Sequence, residues 1–95
     1  MQVKDITLKQ GKIDITLEII DISEIREFNK FGNTGRVATA TAKDDSGEIK
    51  LTLWNNEIDV VKIGSKVRIT NGYCGEFQGE KQLTAGRFGK LEVID

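Results

Sequence analysis

Asp44-Asp45-Ser46-Gly47-Glu48-Ile49-Lys50-Leu51-Thr52-Leu53-Trp54 is the stretch from which the rest of the chain can be read. Its first four residues are turn formers, with Gly47 placed where the backbone can take a positive φ. Ile49, Leu51 and Leu53 then alternate with Lys50, Thr52 and Trp54. A period of two puts the aliphatic side chains on one face of a strand and Lys50, Thr52 and Trp54 on the other. The only tryptophan of the chain is therefore expected on the polar face, in line with a lysine and a threonine. An indole beside a cation suits a flat, negatively charged ligand. Single-stranded nucleic acid offers a π-face at every base and a phosphate at every linkage.

Upstream, Arg36 to Lys43 reads as the strand that pairs with this one across the turn, with Ala38, Ala40 and Ala42 alternating with Val37, Thr39 and Thr41. Small side chains on one face let a curved sheet close tightly, or leave room for something flat. Lys12 to Ser23 is a long first strand in which Ile13, Ile15, Leu17 and Ile19 share a face before the phase slips at Ile19–Ile20. Such a slip predicts a bulge and a bend, which suits a first strand that must pair on both sides. Glu24 to Gly35 reads as a polar connection carrying Phe28, Phe31, Arg26 and Lys30, each ring either tucked under it or presented to a ligand. Residues 1–11 read as a short irregular or helical lead-in that closes one end of the core.

Downstream, Asn55 to Gly64 fits one or two helical turns between the third and fourth strands. Ser65 to Asn71 is the fourth strand, with Val67 and Ile69 inward. Gly72 to Gly79 is read as a glycine-punctuated hairpin tip bearing Tyr73 and Phe77. Lys81 to Ala85 returns as a strand, and Leu91 to Ile94 is a last one after Gly86 and Gly89. Strands joined by turns, little helix and no proline point to a small, curved, mostly antiparallel all-β barrel.

Ninety-five residues fit one domain, 1–95, with a modest core. No apolar run is long enough to span a membrane and no signal-peptide pattern opens the chain. The single cysteine, Cys74, rules out an internal disulfide framework and fits a reducing, intracellular compartment. It is read as a small semi-buried hydrophobe. The absence of histidine removes the usual general base, the usual zinc ligand and every Ser-His or Cys-His nucleophile. The adjacent carboxylates Asp44 and Asp45 belong to a turn. No enzyme, cofactor or metal site is expected. The formal net charge of −1 argues against a strongly basic duplex binder, but not against one that relies on stacking. Gly86-Arg87-Phe88-Gly89 matches a G-x-x-G string yet is flanked by strands where that motif needs helices.

The aromatic residues are few and unevenly placed. In a barrel of the oligonucleotide-binding (OB) kind, five of the six fall on one groove formed by two loops and the face of strands two and three. There they are interleaved with Arg26, Lys30, Arg36, Lys50, Lys81 and Arg87. Glu24, Glu27, Glu76 and Glu80 occupy the same loops and offset part of that charge.

These residues also carry a family resemblance. Asp45-Ser46-Gly47-Glu48-Ile49-Lys50-Leu51-Thr52-Leu53-Trp54 resembles a segment of archaeal single-stranded-DNA-binding proteins and replication protein A. Ser23-Glu24-Ile25-Arg26, Ile63-Gly64, Ile69-Thr70-Asn71-Gly72-Tyr73, Phe77-Gln78-Gly79 and Gln82-Leu83-Thr84-Ala85-Gly86 follow the same order. The resemblance implies a five-stranded Greek-key OB-fold barrel with a short helical segment between strands three and four. It implies binding of single-stranded DNA by stacking, in replication, recombination or repair. Trp54, Tyr73 and Phe77 match the stacking aromatics, Phe28 a large apolar position, and Arg26 a basic contact. Lys30, Arg36, Lys50, Thr52 and Lys81 complete the expected site. Other OB domains of the same parent protein, or replication and repair proteins, are the implied partners. The zinc-finger cysteines of some replication protein A subunits have no counterpart. A groove for an acidic or amphipathic peptide, and an RNA-binding OB domain, remain the alternative readings.

Overall fold

A computed structural model describes residues 1–85 and 89–94, without the side chains of Glu24, Lys30, Asn33 and Asn56. Gly86, Arg87, Phe88 and Asp95, and the readings made of them, lie outside the described residues. In chain order the elements are a 3-10 turn (Val3–Asp5), β1 (Ile13–Lys30), β2 (Asn33–Asp44), β3 (Gly47–Trp54), α1 (Asn56–Val60), β4 (Lys66–Phe77), β5 (Glu80–Thr84) and β6 (Lys90–Val93). Neighbouring strands run β1-β2-β3-β5-β4, and β4 pairs back onto β1, so the sheet closes in a ring. This is the expected Greek-key order. A sixth strand, β6, adds to β4 outside the five that close the ring.

The closure rests on complementary sizes across the inner face. Ala38, Ala40 and Ala42 stand opposite Leu53, Leu51 and Ile49, and all six are buried. A small residue facing a large one lets two strongly curved strands interdigitate without a void. The alanines thus serve tight closure, not a flat ligand. Ile13, Ile15, Leu17 and Ile19 of β1 and Val67 and Ile69 of β4 complete the core, with Ile6 and Val61 sealing it from the lead-in and from the end of α1. Removing the Leu51 side chain to alanine would cost about 2–5 kcal/mol in transfer and cavity energy.

β1 pairs with β4 through Ile13–Glu18 and with β2 through Glu18–Lys30. The register shifts between Ile19 and Asp21, where the phase slip predicted it, and again between Ser23 and Arg26. Beyond that second bulge the structure departs from the expected polar connection. Residues 24–30 and 33–35 are strand, joined only by the turn Phe31-Gly32, so the hairpin forms a long arm. Likewise Gly72–Phe77 is not a hairpin tip but the second half of β4, turning at Gln78-Gly79. Cys74 is fully buried, more so than expected, and burial pushes its thiol up.

The lead-in is tied to the β2–β3 turn by one carboxylate. Asp44 accepts hydrogen bonds from the backbone N–H of Val3 at 2.9 Å and from the N–H and hydroxyl of Ser46 at 2.7 and 2.6 Å. Burial alone would raise its pKa, but the hydrogen bonds from Ser46, Val3 and Gly47 outweigh that and hold it below the ordinary range. A depressed carboxylate stabilises the fold above its unfolded pKa and loses that contribution as pH falls through the folded value. Asp44→Ala should therefore lower stability by about 1–3 kcal/mol at neutral pH. In denaturant titrations at stepped pH, the gap between wild type and variant should narrow below about pH 4.

Candidate nucleic-acid interface

β3 delivers its outward row as the alternation requires. Lys50, Thr52 and Trp54 face out while Ile49, Leu51 and Leu53 are buried. Trp54 is the last residue of the strand, and Asn55, at φ +48, turns the chain away into α1. That exit is clamped to β2: the Asn55 N–H donates to the Arg36 carbonyl, and the Arg36 N–H donates to Asn55 Oδ1, each at 2.9 Å. The indole thus stands at the rim, 42% exposed.

Its plane is fixed from two sides. Nε1–H donates to Thr84 Oγ1 at 3.3 Å across the parallel β5. The Phe28 ring meets it edge-on, with centroids 6.0 Å apart at 83°. Phe28, 38% exposed, lies over its cross-strand partner Gly35, where any Cβ would collide with the ring. A side chain at position 35 would displace the ring from this position. A pinned indole loses little rotamer entropy when a base stacks on it.

The other aromatic side chains reach the outer face through a bulge in β4. Ile15 pairs with Ile69 and Ile13 with Gly72, so β4 carries one extra residue there, and Asn71 takes φ +56. The bulge reverses the alternation: Cys74 turns in, and Tyr73 and Phe77 turn out, 45% and 56% exposed. Gly75 lies between them, and a Cβ on it would stand 3.6 Å from the Tyr73 ring. Tyr73 pairs with Thr84, the acceptor of the Trp54 indole.

Phe77 lines two adjoining pockets of about 180 Å³ each on the outer side of β2 and β3. Arg26, Val37, Thr39, Thr52 and Gln82 line one, and Ser23, Thr39, Lys50, Lys81 and Gln82 are among those lining the other. Of the expected site residues, the fold therefore gathers Arg26, Lys50, Thr52, Phe77 and Lys81 in one groove, with Trp54 and Phe28 together at its rim and Tyr73 on the adjoining β4 face. Lys50 Nζ donates to Thr41 Oγ1 at 3.0 Å and Lys81 Nζ to the Ile6 carbonyl at 2.7 Å, which holds both ammonium groups along one edge. Glu80 shares that wall.

Arg36 stands apart from this group. It lies in phase with the inward alanines of β2 and donates to Asp59 of α1 at 2.7 Å. The hydrogen bond and charge of Asp59 raise the guanidinium pKa, and Arg36 in turn lowers that of Asp59. The Lys30 backbone pairs with Asn33 at the end of the arm, and its side chain is outside the description.

Gln82 and Thr84 carry the family resemblance in the sequence but were not among the expected site residues. Gln82 Nε2 donates to Thr52 Oγ1 at 2.5 Å and contributes to both pockets, and Thr84 anchors the indole. Counting outward by twos from Thr84 along β5 was the available signal. Among the described residues no cluster of His, Cys, Asp and Glu could hold a metal ion, and no helix is long and apolar enough to cross a membrane.

Comparison with known proteins agrees with this geometry. The chain is 30% identical over 79 residues to the single-stranded DNA binding protein Ssb of Saccharolobus solfataricus, covering 83% of this chain and 53% of that protein. It is 31% identical over 81 residues to replication factor A of Methanothermobacter thermautotrophicus, covering 84% of this chain and 10% of that one. The chain thus spans about half the length of the first relative and a tenth of the second. The OB domain of Ta0387 from Thermoplasma acidophilum shares the fold with a TM-score of 0.83 at 21% identity, covering 100% of this chain and 86% of that one. Residues 13–91 match the family described as OB-fold nucleic acid binding domain, and the chain belongs to that family.

Proposed function

We propose that the groove between the β1–β2 arm and the β4–β5 hairpin binds single-stranded DNA with little sequence preference, in replication, recombination or repair. The observation that carries this reading is the outward indole of Trp54, pinned by Thr84 and Phe28 at the rim of a groove edged by Lys50 and Lys81. Similarity to a protein named for single-stranded DNA binding supports it.

Trp54, Tyr73 and Phe77 serve as the stacking platforms. Arg26, Lys50 and Lys81 take phosphates, and Thr52 with Gln82 floors the groove with polar atoms. Phe28 acts chiefly by holding the indole. Arg36, engaged with Asp59, is assigned no phosphate. Each stacked base is worth about 1–3 kcal/mol, so three rings supply roughly 3–9 kcal/mol before ordering costs. Micromolar affinity takes about 8 kcal/mol. Stacks and a few phosphate contacts reach that range, and tandem OB units would tighten it further. Duplex is disfavoured because paired bases cannot splay onto the rings.

Trp54 is the sole tryptophan, so its fluorescence reports on this face alone. Titration with oligothymidine should quench it, and Trp54→Ala, followed by calorimetry, should weaken binding by more than about 1 kcal/mol. With about four phosphates contacted, log affinity against log salt should have a slope near −3. A flat salt response without quenching would favour a peptide in the same groove.

A further inference from the structure

Tyr73 lines neither of the pockets that hold Arg26, Lys50 and Lys81, and on its other side it meets the lead-in. Beyond Gly72, where pairing with Ile13 ends, the edge of β4 away from β5 is taken up by residues 9 and 10. The Lys9 N–H donates to the Cys74 carbonyl at 2.7 Å, and the Cys74 N–H donates to the Gln10 carbonyl at 2.8 Å. Gly11 follows at the side of the Tyr73 ring, where a Cβ would stand 3.9 Å from Cδ2. Lys9 and Lys12 flank that glycine, and both are exposed.

The two lysines hold backbone conformations that suit other residues better. Lys9 has φ +64° and Lys12 φ +54°, the left-handed region in which glycine and asparagine are at ease and lysine is strained. Lys9 is also third in the turn Thr7–Gln10, closed by the Gln10 N–H on the Thr7 carbonyl at 3.3 Å. Positive φ at that place ordinarily selects glycine. Gln10 Oε1 accepts from the N–H and hydroxyl of Thr7 at 2.8 and 3.2 Å, which locks the turn. Among the described residues no carboxylate pairs with either ammonium group. Asp14, two residues from Lys12, is taken by Arg68 at 3.3 Å. Two strained positions, each bearing an uncompensated cation beside an exposed ring, make a place for an anion next to a flat group.

The strand order supplies the route to it. The Trp54 indole donates to Thr84, Thr84 pairs with Tyr73, and the Tyr73 ring abuts Gly11. That path crosses from β3 over β5 and β4 to the lead-in, about 14 Å at the spacing of neighbouring strands. We propose that Lys9 and Lys12 bind the phosphates that flank the base stacked on Tyr73, so that single-stranded DNA leaves the groove past Trp54 and crosses the barrel to the lead-in. The inference rests on the reading of the groove as a single-stranded DNA site, and it gives the bound strand its course beyond that groove.

The test follows Trp54 quenching by an oligothymidine of about twelve nucleotides in wild type and three double variants. Lys9→Gly with Lys12→Gly removes both charges at positions whose φ glycine accepts. Each lost phosphate contact should weaken binding about five-fold at about 0.1 M salt and flatten the salt slope by about 0.7. Lys9→Arg with Lys12→Arg should retain affinity and slope. Lys43→Gln with Lys66→Gln removes the same charge from exposed positions near the opposite wall and should bind as wild type does. If the glycine pair keeps wild-type affinity and slope, or the glutamine pair loses as much as the glycine pair, Lys9 and Lys12 make no specific phosphate contact. This inference alone then falls. If wild type binds no oligothymidine, the reading of the groove falls and takes the inference with it.

Discussion

A sheet closed on itself has an inside that must be filled and an outside that is left over, and the strand period divides every residue between them. Leu51 against Ala40 is the centre of that division. The pair packs a large side chain into the space a small one leaves, and it fixes the phase of β3 for its whole length. With Leu51 and Leu53 committed to the core, Thr52 and Trp54 are committed to the surface. Rotating the strand would bury Lys50 and strand three aliphatic side chains in water, at a cost of several kcal/mol. The indole faces outward because the core cannot spare the other face.

Two local departures from regular strand shape what surrounds the indole. The extra residue near Asn71 reverses the alternation in β4, and without it Tyr73 and Phe77 would point into the core in place of Cys74. Bulges that re-aim side chains are common beside functional sites. The bulge between Ser23 and Arg26 acts on the other wall. It sets Arg26 toward the groove and brings Phe28 over Gly35, where the ring braces Trp54. Stability and function are linked here, because the same bends that close the ring also aim the aromatic side chains.

The parts of the fold legible in the sequence were those where burial forces a strict alternation. The phase of β3, the slip at Ile19–Ile20 and the inward Val67 and Ile69 all followed from it. Residues 24–35 were read as a connection because the arm projects beyond the core and both of its faces meet water. Its sequence therefore carries no apolar alternation, although its backbone is paired from Arg26 to Lys30. The second half of β4 was hidden for another reason: its glycines suggested a tip, and the bulge near Asn71 reverses its alternation. In the site, the exposed aromatics stood out by type and phase. Gln82 and Thr84 did not, because a polar residue on a short strand looks like any solvated one until its cross-strand partner is known. The contact of Arg36 with Asp59, twenty-three residues away, is likewise invisible in the sequence.

In the proposed complex, one wall of the closed sheet, β2 and β3 with Phe77 beside them, is the surface that meets nucleic acid. Amide and indole N–H shifts followed by NMR during titration with oligothymidine test that directly. The largest changes should fall on the Trp54 indole N–H, Thr39, Thr52, Phe77 and Gln82, with Asp14, Thr16 and Arg68 on the β1–β4 wall unmoved. Shifts concentrated on that opposite wall, with the indole signal stationary, would contradict it.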